Sequence, residues 1–217
     1  MNPSSDTLSD TLPGTIVIES AFPTTPSANG QIPDTRKIYI ILSQSGSNLS
    51  RFLKLVTREP YNHASIALDG DLRTMYSFGR LRAYNPFRGG FVRESTAYGT
   101  FKRFKNTRAR VLEIEVSSAA YDAVVAIIHE MLDDQRRYHY NYWGLILAAI
   151  RIPFKKRYCY YCSEFGKYLA LCMELPEAEK LPAIVKPMHL MSIPHTTVYE
   201  GLLREYAPHI ALSPTQA

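Results

Sequence analysis

A chain of 217 residues, 46% hydrophobic and 21% charged, can fill one core of ordinary domain size and is too short for two full domains. Its net charge of +5 raises the question of a nucleic-acid partner. The basic cluster at residues 102–110 (KRFKNTRAR) and the later Lys155, Lys156 and Arg157 come without zinc-finger spacing or an aromatic-basic RNA-binding signature, so that partner is set aside in favour of a solvated basic face or an anionic substrate or surface.

Residues 1–36 are dense in Pro, Ser, Thr, Asn and Gly and offer little apolar surface against the entropy of ordering, so they read as a flexible N-terminal arm. Within it, residues 15–22 (TIVIESAF) form a strand-like island. The folded domain is expected over 37–206, with 207–217 as a tail. No stretch reaches the roughly 18–20 apolar residues of a membrane span, and the first residues lack the order of a secretory signal; the expected address is cytoplasmic. Three cysteines, Cys159, Cys162 and Cys172, are an odd number and favour thiols over a disulfide framework.

Residues 37–43 (KIYIILS) read as a strand and 48–56 (NLSRFLKLV) as a helix, since Leu49, Phe52, Leu53 and Val56 share one face. After Pro60, residues 63–68 (HASIAL) and 73–78 (RTMYSF) read as a hairpin about Asp69-Gly70-Asp71. Residues 85–90 (NPFRGG) read as a loop and 110–116 (RVLEIEV) as a strand. The longest helix starts at a Ser117 or Ser118 cap and runs to about Asp134, with Tyr121, Val124, Val125, Ile128 and Leu132 facing the core. His129, Glu130 and Asp133 fall on its rim or solvated face. Helices are expected over 142–150 and from Cys162 to about Met173, and a last strand over 198–203. This order predicts an α+β fold with an antiparallel sheet packed against helices. The sequence holds no repeat, phosphate-binding Gly-rich loop or dinucleotide fingerprint, and no cofactor is expected.

The segment 158–171 (YCYYCSEFGKYLAL) leads aromatic residues directly into a helix with Cys162 at its start. There the first-turn N–H groups and the positive end of the macrodipole favour a thiolate, and can hold the oxyanion that forms when it attacks a carbonyl. Phe165, Gly166, Leu169, Cys172 and Met173 share the side of Cys162, so the thiol is expected to face inward, with Cys172 a small buried hydrophobe. The candidate base is His63, at the start of its strand.

The run NHASIAL with His63, the following strand MYSF, and YCSEF with Cys162 together resemble the circularly permuted form of the NlpC-type papain-like superfamily, the YiiX-like group. Tyr138-His139-Tyr140-Asn141-Tyr142 and the closing Tyr199-Glu200-Gly201-Leu202 add to the likeness, which covers about residues 37–206. The resemblance implies a histidine strand that precedes the cysteine helix, a papain-like fold, and hydrolase, thiol protease or acyltransferase chemistry on an amide or ester. It also implies a polar third catalytic group on the strand paired with that of His63. A turn at residues 69–72 would set residue 65 opposite 76 and put Tyr76 beside His63, with Ser77 pointing away and Glu94, in the following loop, as the alternative. The rival readings are a binding protein with a degenerate site, and a redox pair or half a zinc site at Cys159-Tyr160-Tyr161-Cys162, for which a matching second half is missing. The substrate that the resemblance implies is a small molecule, a peptide or cell-wall peptide, or a lipid-like molecule.

Overall fold

The computed structural model describes residues 34–46, 59–82 and 85–207, with only the backbone of Pro86 and Phe87. The strand-like island at 15–22, the expected helix at 48–56 and nearly all of the tail lie outside them.

Among the described residues eight strands form one sheet in the order β7-β6-β4-β3-β2-β1-β5-β8. They are β1 (Thr35–Gln44), β2 (His63–Ala67), β3 (Met75–Arg82), β4 (Asn85–Glu94), β5 (Arg108–Ser117), β6 (His139–Tyr140), β7 (Cys159–Tyr160) and β8 (Thr196–Leu202). All neighbours are antiparallel except β6 and β7. Among the described residues five helices accompany them: α1 (Gly99–Arg103), α2 (Ser118–Asp133), α3 (Tyr142–Ala149), α4 (Cys162–Cys172) and α5 (Pro176–Glu179). The chain is therefore α+β, as its order of elements predicts.

The nearly continuous apolar run of β1 makes it a central strand covered on both faces. Ile38, Ile40 and Leu42 belong to a core with Ile66, Phe78, Phe91 and Phe165, while Tyr39 and Ile41 join a second core with Ala67, Met75, Phe101 and Val111. Ser117 caps α2 by accepting from the Ala120 N–H at 3.2 Å. Val124, Ile128 and Met131 are its buried residues, and His129, Glu130 and Asp133 are exposed.

Two expectations are corrected. Residues 85–90, expected as a loop, are the first part of β4, paired with β3 from Arg82↔Asn85 to Met75↔Glu94. The two glycines that suggested a loop are there because other chain segments press against them. A Cβ on Gly89 would meet the Tyr142 hydroxyl at 2.7 Å and Tyr140 Cβ at 2.8 Å, and one on Gly90 would meet the Tyr138 carbonyl at 2.9 Å. The second correction concerns the hairpin: β2 and β3 pair Ile66↔Tyr76, one residue away from the expected 65 opposite 76. Leu72 adopts a positive φ of 52° and Asp71 Oδ1 accepts from the Arg73 N–H at 2.9 Å. The connection thus follows its own local turn.

Helix α4 is anchored through aromatic rings. Phe165 is fully buried, its ring centroid 5.4 Å from that of Phe78 and 5.6 Å from that of Phe91. Phe165→Ala is expected to cost about 3 to 5 kcal/mol, through lost transfer energy and an unfilled cavity. Urea denaturation at unchanged m-value checks it, and a loss under ~1 kcal/mol would show that these rings do not hold the helix.

Candidate active site

His63 is the first residue of β2, fixed by its pairing with Ser43 of β1 and by the Asn62 N–H donating to the Ser43 carbonyl at 3.1 Å. Glu94 is the last residue of β4 and lies opposite Met75. Since side chains alternate along a strand, these registers put His63, Ser65, Ser77 and Glu94 on one face of the sheet. His63 Nε2 stands 3.2 and 3.1 Å from the two Glu94 oxygens. The Ser65 and Ser77 hydroxyls donate to Glu94 Oε2 at 2.6 and 2.8 Å. Three donors thus satisfy a carboxylate that is only 11% exposed, as a buried charge requires.

The expected partner of His63, Tyr76, is not beside it. The one-residue difference in register turns Tyr76 to the opposite face, where its ring stacks on Phe91 at 6.2 Å with an interplanar angle of 6°. The same difference brings in Ser77, which was expected to point away. The position held for Tyr76 is filled by Glu94. A strand reading of residues 85–94 would have revealed this, because Phe91, Val92 and Arg93 continue a strand up to Glu94; the Asn-Pro and Gly-Gly pairs concealed it.

Cys162 opens α4 and is buried. Both Cys162 and His63 stand at the first position of their element, and Cys162 lies close enough to act on the imidazole's charge. With Nε2 held by Glu94, Nδ1 is the nitrogen left for the sulfur. Burial works against a charged imidazole, but the Glu94 carboxylate and then Cys162 outweigh it and raise the His63 pKa to about 10. Burial likewise disfavours the Glu94 charge, and His63 with the two serine hydroxyls outweighs that, so its pKa is lowered. The arrangement suits an imidazolium held by the Glu94 carboxylate with Cys162 close by. The start of α4 is fixed by Glu164, whose Oε2 accepts from the Tyr161 N–H at 3.0 Å and from Asn141 Nδ2 at 3.2 Å.

Further groups surround the pair. Burial, and then the nearby Cys162, keep the Tyr140 phenol of β6 protonated. Arg80 of β3 is half-buried, within the field of Glu94 and Tyr140. Neither was assigned a role from sequence: Tyr140 entered only within an aromatic run, and Arg80 lies beyond the expected end of its strand.

Burial pushes both Cys159 and Cys172 up, and neither is in a disulfide. Cys172 is half-buried against Tyr168 and not wholly in the core. Among the described residues no three His, Cys, Asp or Glu side chains cluster to hold a metal ion, and no helix is long and apolar enough to cross a membrane. No protein-family model, curated protein or solved structure matches the chain.

Proposed function

We propose that this protein is a cysteine-dependent hydrolase or acyltransferase, acting on an amide or ester through a thioester, with the permuted papain-like order of histidine strand before cysteine helix. The observation that carries this reading is the chain of contacts from Glu94 through His63 to Cys162, a nucleophile with a base and a group that orients the base. His63 takes the thiol proton, and the sulfur bonds to the carbonyl carbon while the carbonyl electron pair moves onto oxygen. The N–H groups at the start of α4, with Tyr140 as a further donor, stabilise that oxyanion. Its collapse expels the amine or alkoxide, which takes the proton from His63, and leaves an acyl-sulfur bond. Water or another acceptor then attacks the thioester and gives its proton to His63 as the thiolate departs.

A carboxylate beside His63 supports an enzyme over a degenerate binding site, because it supplies the negative charge that a tyrosine in that place would not. The single raised thiols of Cys159 and Cys172 give a redox pair no comparable support.

Alkylation by iodoacetamide at pH 6.5, read by peptide mass, tests the assignment. Cys162 is expected to label on the order of tenfold faster than Cys159 or Cys172, whose thiols burial keeps protonated. His63→Ala should remove that advantage. Equal labelling of all three thiols, or a Cys162 rate indifferent to His63→Ala, would refute the pairing.

A further inference from the structure

Helix α3 is apolar along nearly its whole length, YWGLILAA, yet it leaves a stripe of large side chains in solvent. Trp143 is 67% exposed, Ile146 58% and the capping residue Ile150 64%. Positions i, i+3 and i+7 share one helix face. The exposed side chains continue beyond the helix: every residue from Ala149 to Arg157 is exposed, including Ile152 and Phe154. A run of large apolar side chains of this extent marks an interaction surface.

The charges around this surface identify its partner. The chain holds no Asp or Glu between Asp134 and Glu164, while Arg151, Lys155, Lys156 and Arg157 all lie in the exposed stretch itself. Exposed tryptophan, isoleucine and phenylalanine bordered by lysine and arginine, in a helix far too short to span a bilayer, is the chemistry of an element that lies in the headgroup region. A protein partner of ordinary surface would not call for four basic residues and no acid in this exposed stretch. An anionic lipid surface does, each basic side chain near it adding to the attraction.

We infer that the face formed by Trp143, Ile146, Ile150, Ile152 and Phe154, with Lys155, Lys156 and Arg157 at its edge, docks the protein onto an anionic lipid bilayer. The docking surface is tied to the start of α4. Asn141 Oδ1 accepts from the Gly144 N–H at 2.9 Å, and its Nδ2 donates to the Phe154 carbonyl at 3.1 Å as well as to Glu164. One buried carboxamide thus joins the helix, the exposed loop and the Cys162 helix. The inference rests on the surface alone and does not need Cys162 to be a nucleophile.

Co-sedimentation of the full chain with vesicles tests it, comparing phosphatidylcholine alone with phosphatidylcholine containing 30% phosphatidylglycerol. Binding is expected to the anionic vesicles only and to weaken as salt rises. Replacing Lys155, Lys156 and Arg157 together by Ala should lower the partition coefficient on the order of a hundredfold, at about fivefold per basic residue. Trp143→Ser should lower it about tenfold by removing apolar area from the interface. Both changes are at exposed positions, and an unchanged melting temperature would verify the fold. Cys162→Ser should bind as the wild type does, which separates failure of the docking surface from failure of the catalytic assignment. No binding to anionic vesicles, or binding untouched by both sets of changes, would overturn the inference. So would a dimer in light scattering that Trp143→Ser dissolves, since the face would then belong to a second copy of the chain.

Discussion

Replacing Cys162 with Ser is expected to abolish turnover of an activated ester or amide, while Cys159→Ser and Cys172→Ser stay near wild type. The proposed mechanism needs an anion that a thiol forms far more easily than a serine hydroxyl, so the substitution loses the nucleophile. The side chains are close in size, so Cys162→Ser should fold with an unchanged melting temperature, and the loss would be chemical. The other two cysteines act as internal controls. Were Cys159→Ser as damaging as Cys162→Ser, with a reversible dithiol potential in the wild type, the two would be acting as a redox pair and the thioester mechanism would be wrong.

The second large effect is expected from Glu94→Gln, a change of charge with almost no change of shape. Burial alone disfavours a charged His63, and Glu94 is the strongest influence opposing it. Without the carboxylate the His63 pKa falls from about 10, and less of the imidazolium that the proposed mechanism uses to protonate the leaving group is present at neutral pH. Turnover should drop by about 10²- to 10⁴-fold, and the alkaline limb of the pH profile should move to lower pH. An alkaline limb left in place would remove Glu94 from the site. Stability follows with a definite sign. The raised pKa of His63 contributes stability that is fully present below its ordinary value of 6.5 and is lost as pH rises through about 10. The lowered pKa of Glu94 contributes stability present above its ordinary value of 4.5 and lost as pH falls through its folded value. Urea midpoints of the wild type should therefore be highest between these limits and decline toward pH 10, and Glu94→Gln should flatten that decline.

Much of the chain was legible without coordinates because its signals are local. The serine cap and 3.6-residue period of α2, the β-branched run of β1 and the aromatic lead into α4 all depend on neighbours a few residues away. The segment 85–94 was not, because Gly89 and Gly90 resemble turn residues, and the reason for them is the approach of Tyr138, Tyr140 and Tyr142 from a distant part of the chain. A glycine in sequence does not say whether it bends the backbone or makes room for something else.

By itself, the sequence determined the order of strand and helix, the cysteine at a helix start and the histidine at a strand start, since capping, periodicity and the helix dipole are properties of contiguous residues. Only the tertiary structure decided which group stands behind His63. That choice hangs on the register of β2, β3 and β4, where a slip of one residue exchanges every side chain between the two faces and so replaces Tyr76 with Ser77 and Glu94. It also decided that the apolar stripe of α3 meets solvent. The run YWGLILAA would read equally well as a buried helix, because burial is settled by what is packed against a surface, and among the described residues Trp143, Ile146 and Ile150 stay exposed.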